Sequence, residues 1–338
     1  MIPEGLANLL RAASSISKLL IVTHNDPDPD AIGAAMALSY FLKERCGIQS
    51  EVVYYGIIGR AENRAMVKYL GNVLRPVAEG DFDQGTAIAM VDTQPGAGNN
   101  PVGDVGDVRI VLDHHTERSE TRHVDCAEVH PSLGACSTLM TAFLREAGLE
   151  IPTSLATALF YGIKTDTRGL SRGTSAYDVQ AYFYLQPLID IDGLAEIEYA
   201  RVPADYFKGL ATMLKNLRIY RNIAVAWLGD LVYPGMAAEM ADLLLRLEGI
   251  DWVVSSSVFN DTMIISVRTH DRAGGAEVLV LTLVADEGTA GGHGMLAGGQ
   301  IPLNGRDPLK VNQLIVKRTM SYFGLPRGMT GTRLAKFG

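Results

Sequence analysis

The chain has 338 residues, of which 47% are hydrophobic and 20% charged, with a formal net charge of −8. That length suits about two domains with cores of their own, and the acidic balance argues against a protein that wraps long duplex nucleic acid, where many Lys and Arg contacts to phosphates carry the binding. No stretch approaches the roughly 18 consecutive apolar residues of a membrane span, and the first 13 residues, with Glu4 and Arg11 among them, lack a secretory pattern, so a cytoplasmic protein without a membrane partner is expected.

Apolar runs of strand length alternate with segments of helical period, which reads as α/β with a mainly parallel sheet in the N-terminal half. The first strand is expected at residues 19–23. A helix from about residue 31 to 45 follows, where Ala35, Leu38, Phe41 and Leu42 recur on one face. Strands are expected at 51–55, 87–92 and 108–113, then helices from about 135 to 184, closing a first domain over residues 1–187. Residues 188–219 read as a helical linker. A smaller α/β domain spans 220–328, with strands at 223–228, 252–259 and 263–269, a helix at 276–286, a glycine-rich turn at 288–299 and an amphipathic helix at 309–322. Residues 329–338 read as a polar tail, and no internal repeat is evident.

The chemistry-bearing residues fall where strands end, the place where ligands bind in open parallel sheets. His24-Asn25-Asp26-Pro27-Asp28-Pro29-Asp30 follows the first strand. Alone, an Asp/Pro-rich segment is most often a turn, yet its prolines stiffen a loop holding one imidazole and alternating carboxylates, donors suited to divalent cations. Asp92 ends an apolar strand, where the bland reading is a loop cap. Asp113-His114-His115 follows another, and a histidine pair is sometimes only a solvated loop. Asp166 sits late in an apolar helical run, where a carboxylate needs a partner to offset its desolvation. Four such elements converging on one domain are much less expected by chance than any one of them. Cys46, Cys126 and Cys136 are odd in number and widely spaced, suggesting neither a disulfide framework nor a thiolate zinc site.

These four segments, in this order, resemble the motifs of the DHH phosphoesterase family, whose signature is the triplet Asp113-His114-His115. The resemblance extends to Gly291-Gly292-His293-Gly294-Met295-Leu296-Ala297-Gly298-Gly299, similar to the glycine-histidine motif of the accessory DHH-associated domain. Two departures stand out: Ala34 lies where members often carry serine, and Ala290 replaces one glycine before the accessory histidine. They bear on substrate contacts and leave the ligand residues intact.

The resemblance implies that His24 and Asp28 hold one manganese ion, that Asp30, His114 and Asp166 hold a second, and that Asp92 bridges them, with magnesium or cobalt as alternatives. It further implies that His115 touches the scissile phosphate and that Asp113 orients the histidines. In the accessory domain, Arg268 with Gly291, Gly292, His293 and Gly298 would bind substrate through charge-assisted hydrogen bonds and a backbone nest. The layout resembles the stand-alone nano-RNase and phosphoadenosine-phosphate phosphatase branch, so short single-stranded RNA or small nucleotides are the expected substrates. Cyclic dinucleotides and polyphosphate stay open as alternatives, as do a homodimer and, from a different class, a non-catalytic metal-dependent nucleotide sensor. Against the sensor stands the presence of every motif acid.

Overall fold

The computed structural model describes residues 3–336 apart from 84, 104, 105, 272 and 327. The chain divides into two compact units, Met1–Arg201 and Val202–Gly338.

The first unit runs α1 (Pro3–Ala13), β1 (Lys18–Thr23), α2 (Pro29–Phe41), β2 (Gln49–Tyr54), α3 (Ala61–Tyr69), β3 (Leu74–Pro76), β4 (Ala87–Val91), β5 (Asp107–Asp113), β6 (Cys126–Val129), α4 (Cys136–Glu146), α5 (Thr153–Asp166), α6 (Ala176–Leu185) and α7 (Ile191–Glu198). Its six strands are all parallel, in the order β3-β2-β1-β4-β5-β6. The chain winds outward in opposite directions from β1 and β4, so a crevice opens beyond their carboxyl ends. Side chains alternate across the sheet. Leu19, Ile21, Ala89, Val91, Ile110 and Leu112 face a large core shared with the helices, while Leu20, Val22, Ile88, Met90 and Val111 face a smaller cluster with Val102.

Helix α2 starts two residues earlier than its apolar period suggested, because Asp28 caps it and Pro29 occupies its first turn. It ends at Phe41, continues as a π turn over Leu42–Cys46 and stops at Gly47, whose φ of 68° is left-handed. Helix α2 is buried on nearly every side. Its small residues allow close packing: a Cβ on Gly33 would lie 3.0 Å from the Ala158 carbonyl oxygen of α5.

The second unit contains α8 (Ala204–Asn216), β7 (Arg218–Tyr220), β8 (Ile223–Asp230), α9 (Met236–Leu244), β9 (Trp252–Phe259), β10 (Thr262–Thr269), α10 (Ala276–Val284), β11 (Thr289–His293), β12 (Leu296–Pro302), α11 (Pro308–Tyr322) and β13 (Thr332–Arg333). Its sheet, β11-β12-β10-β9-β8-β7-β13, is antiparallel except between β8 and β9. Val225, Val254, Ile265 and Val267 pack with α10 and α11, whereas Ala224, Ala226 and Val253 pack with α8 and α9 on the other face.

Two expectations are corrected in this unit. The glycine-rich stretch 288–299 is not one long turn but most of a hairpin, in which Ala290 pairs with Gly299 and Gly291 with Gly298. Packing explains the glycine at 299, where a Cβ would lie 2.6 Å from Val284 Cγ2 of α10. Nor is the C-terminal segment only a polar tail, because Thr332 and Arg333 pair with Ile219 and Arg218 at the sheet edge. Helices α1, α3 and α9 and strands β3, β6 and β7 went unread in the sequence; β3 and β7 are three residues long, too short for a period to show.

Candidate metal centre

Each expected metal-binding residue of the first unit is delivered by the end of a regular element. His24 follows β1, and the loop after it turns into α2, where the Asp28 Oδ1 accepts from the amides of Asp30 and Ala31 at 3.0 and 3.1 Å. Asp30, in the first turn of α2, is fully buried. Its Oδ2 accepts from the Cys136 amide at 2.6 Å and its Oδ1 from the Ser137 amide at 2.8 Å. Those amides open α4, which has no side-chain cap of its own, so Asp30 neutralises the exposed N–H groups of another helix. The approach requires Gly162 of α5, where a Cβ would sit 3.0 Å from the Asp30 Cα.

Asp92 leaves β4 in a left-handed conformation with φ 59°, a strained position for a residue with a side chain. Its amide still donates to the Leu112 carbonyl at 2.9 Å, which holds it beside the end of β5. There Asp113 ends the strand, and its Oδ1 accepts from the amides of His114 and His115 at 2.7 and 3.2 Å. Asp166 closes α5.

The side chains converge. His24 Nε2 lies 3.7 Å from Asp28 Oδ1 and 3.4 Å from Asp92 Oδ2. His114 Nε2 lies 3.3 Å from both Asp92 Oδ1 and Asp166 Oδ2. His115 Nδ1 stands 2.8 Å from Asp113 Oδ1 and 3.5 Å from Asp92 Oδ1. Among the described residues three groups able to hold a cation emerge: His24, Asp28 and Asp92; Asp30, Asp92, His114 and Cys136; and Asp92, Asp113 and His115. Asp92 belongs to all three.

The electrostatics follow from packing this many acids under cover. Burial pushes the Asp30 carboxyl well above its usual range, reinforced by the charges of Asp166 and Asp92. Burial, then the Asp28 charge, brings Asp166 up to about 6. For Asp92 burial acts upward too, but the His114 and His24 imidazoles beside it prevail and hold it strongly ionised. Burial disfavours charge on both imidazoles, yet the carboxylates around them raise His24 and His114 well above the ordinary histidine range. Thus two carboxyls are driven toward neutrality while the imidazoles are driven toward charge, as expected where buried acids crowd around histidines.

A family model described as the DHH family, N-terminal domain, matches residues 18–163, which span the first three motifs. Residues 18–163 are thus a DHH-family N-terminal domain. An uncharacterized protein of Methanocaldococcus jannaschii is 38% identical over 288 residues, covering 84% of this chain and 58% of its own length. A probable manganese-dependent inorganic pyrophosphatase of Streptococcus agalactiae is 30% identical over 188 residues, covering 54% of this chain and 58% of its own. The chain therefore spans a little over half the length of these curated relatives. Among solved structures, an exopolyphosphatase-related protein from Bacteroides fragilis has the same fold, with a TM-score of 0.74 at 16% identity, covering 95% of this chain and 96% of that one.

The donor set of this DHH domain fits divalent cations. His114 Nε2 is buried and has no hydrogen-bond partner, although it faces two carboxylates. Its other ring nitrogen is 3.3 Å from the Leu133 carbonyl oxygen, which leaves Nε2 as the lone-pair donor when Nδ1 carries the proton. Mixed imidazole and carboxylate ligands suit manganese, magnesium or cobalt.

Two residues at the centre had no role assigned from sequence. Gln94 is buried; its Nε2 donates to Asp113 Oδ2 at 2.7 Å, and its Oε1 accepts from the Arg118 amide and the Thr121 hydroxyl, both at 2.9 Å. Gln94 thereby orients the carboxylate that orients the histidines. Cys136 places its Sγ 3.5 Å from Asp92 Oδ1. Its position two residues after Gly134 offered no signal, because the proximity arises only when α4 docks behind β5.

In the second unit, Arg268 is only 9% exposed, with Nε donating to Asp242 at 2.9 Å and Nη1 donating to Ser266 Oγ and the Val267 and Ala297 carbonyls. Gly291 and Gly298 face each other across β11 and β12, and Gly292 pairs with Ala297. The His293 side chain lies outside the described residues.

Proposed function

We propose that this chain is a two-metal phosphoesterase that hydrolyses short linear oligoribonucleotides to mononucleotides and removes the 3′-phosphate of phosphoadenosine phosphate. The observation that carries the reading is Asp92, whose carboxylate is common to three ligand clusters and places one oxygen toward His24 and the other toward His114. His24 and Asp28 would hold one manganese ion and Asp30, His114 and Asp166 the other, with Asp92 between them. When bound, such a pair lowers the pKa of water and stabilises the attacking and leaving oxygens of an in-line displacement.

The chain's own residues supply the rest. Asp113 accepts from His115 Nδ1 and, with its hydrogen bond the largest influence, raises the His115 pKa, which favours the imidazolium form whose Nε2 would donate to a phosphate oxygen. The His115 side chain is 46% exposed, enough for substrate to reach it. Gln94 keeps Asp113 in place for that task. As the water oxygen joins phosphorus and the ester P–O bond breaks, the departing ribose oxygen takes up a proton. Manganese is supported by the name of the streptococcal relatives, and that name also favours a second reading, hydrolysis of the phosphoanhydride bond of pyrophosphate or polyphosphate.

Product analysis separates these readings. The purified, manganese-loaded protein is incubated separately with a diribonucleotide, phosphoadenosine phosphate, a cyclic dinucleotide, pyrophosphate and polyphosphate. Rapid conversion of the diribonucleotide, abolished by Asp92→Ala, is the expected result. Preferred turnover of pyrophosphate or polyphosphate would install the second reading, and binding without turnover of any would make the chain a sensor.

A further inference from the structure

The segment after Asp166 is built more firmly than a surface connection needs. Thr167, fully buried, is its hub: its carbonyl accepts from the amides of Ser171 and Arg172, both at 2.9 Å, and its hydroxyl accepts from the Leu170 amide at 3.0 Å. Arg168 and Leu170 adopt left-handed backbone with φ 48° and 68°, on either side of Gly169 at 65°. Two side-chain-bearing residues in that region within three positions are a strain that persists only where surrounding structure imposes it, and such strain clusters at functional sites.

The far end of the loop is clamped as well. The fully buried Asp178 accepts from the amide and hydroxyl of Ser175 at 2.7 and 2.6 Å. It also accepts from the Gly134 amide at 2.9 Å and the Thr138 hydroxyl at 2.5 Å, which flank the start of α4 that holds Asp30. A Cβ on Gly134 would lie 2.6 Å from Thr167 Cγ2 and 3.0 Å from the Gly173 carbonyl oxygen, so the loop rests directly on that platform.

The loop brings a guanidinium back to the end of α5 that carries Asp166. Arg172 Nη2 donates to the backbone carbonyl of Asp166 at 3.1 Å, so its charge stands beside a residue whose carboxylate is 3.3 Å from His114 Nε2. An arginine over the last carbonyls of a helix can serve simply as a cap. Capping alone explains neither the left-handed run nor the clamps at both ends. The chemistry of the side chain suits a phosphate as well, because a planar guanidinium can bond a carbonyl and a phosphate oxygen at once.

We propose that Arg172 is a substrate-binding residue of the first unit, taking a non-bridging oxygen of the substrate phosphate while anchored to the Asp166 carbonyl. This rests on the phosphoesterase reading above. Arg168, in the same strained run, is exposed.

The test compares wild type, Arg172→Ala and Arg172→Lys on the preferred substrate, with kcat and KM separated, manganese affinity by calorimetry and competition by inorganic phosphate. Arg172→Ala is expected to raise KM and the phosphate inhibition constant by about tenfold or more with manganese affinity within about twofold, and Arg172→Lys to recover part of the loss. An unchanged KM and inhibition constant would overturn the proposal, as would manganese affinity falling in step with activity, since a helix cap whose loss disturbs Asp166 predicts that pattern. Wild-type protein that binds manganese but neither turns over a phosphate ester or anhydride nor binds phosphate would instead bring down the phosphoesterase reading, and this proposal with it.

Discussion

Replacing Gln94 by glutamate exchanges an NH2 group, which donates to Asp113 Oδ2 and to the Thr116 carbonyl, for an oxygen and leaves shape intact. In the wild type the amide nitrogen sits 2.7 Å from Asp113 Oδ2. With both groups ionised, two like charges at that distance repel by about 6 kcal/mol at an effective dielectric of about 20. Protonating one of them is cheaper. From an ordinary glutamate pKa of about 4.3, it costs roughly 1 kcal/mol near pH 5 and roughly 4 near pH 7, and the new O–H then donates to the partner as the amide did. The protonation route therefore wins at both pH values and sets the size of the loss. The sign follows: the variant pair has a folded pKa above its unfolded value, so its stability is whole below the unfolded pKa and declines as pH rises toward the folded one. Urea unfolding of wild type and Gln94→Glu in metal-free buffer near pH 5 and pH 7 measures the difference directly, with a deficit growing by about 3 kcal/mol expected. A deficit that is the same at both pH values would refute the reasoning, because it would mean the amide's contact with Asp113 carries no electrostatic weight.

Three further outcomes follow from the geometry. Because carboxylates hold His24 and His114 protonated above the usual range in the metal-free protein, manganese must displace protons; its affinity should weaken by up to about tenfold per pH unit for each proton displaced as pH falls, and calorimetry in buffers of different ionisation enthalpy counts them. Gly162→Ala places a Cβ 2.5 Å from Ser137 Oγ and 3.0 Å from the Asp30 Cα; it should destabilise the first unit by about 1–3 kcal/mol and lower manganese affinity, checked by thermal unfolding and titration. Arg268→Ala breaks the ion pair with Asp242 and three further hydrogen bonds, so thermal unfolding should reveal a destabilised second unit, with manganese binding to the first unit as its control.

What could be read directly was local. His24, Asp28 and Asp30 lie within seven residues after an apolar run, and Asp92 and Asp113 each close a strand whose composition announces it, so their residue types and positions were visible without coordinates. Parallel pairing follows from the alternation of strands and helices, and the crevice from strand order.

The hydrogen bonds that position those side chains were not legible, because they join residues far apart in the chain. Asp30 is held by amides 106 and 107 positions away, and Gln94 meets Asp113 across two neighbouring strands. The glycines of 288–299 show the same limit from the other side: their local chemistry suggests a turn, but sheet pairing and the pressure of α10 make them a hairpin. Sequence by itself showed which carboxylates and imidazoles stand at the ends of strands and the order in which the strands deliver them. Only tertiary structure decided their distances, their burial and hence their charge states, since desolvation and long-range hydrogen bonding exist only once the helices have closed over the sheet.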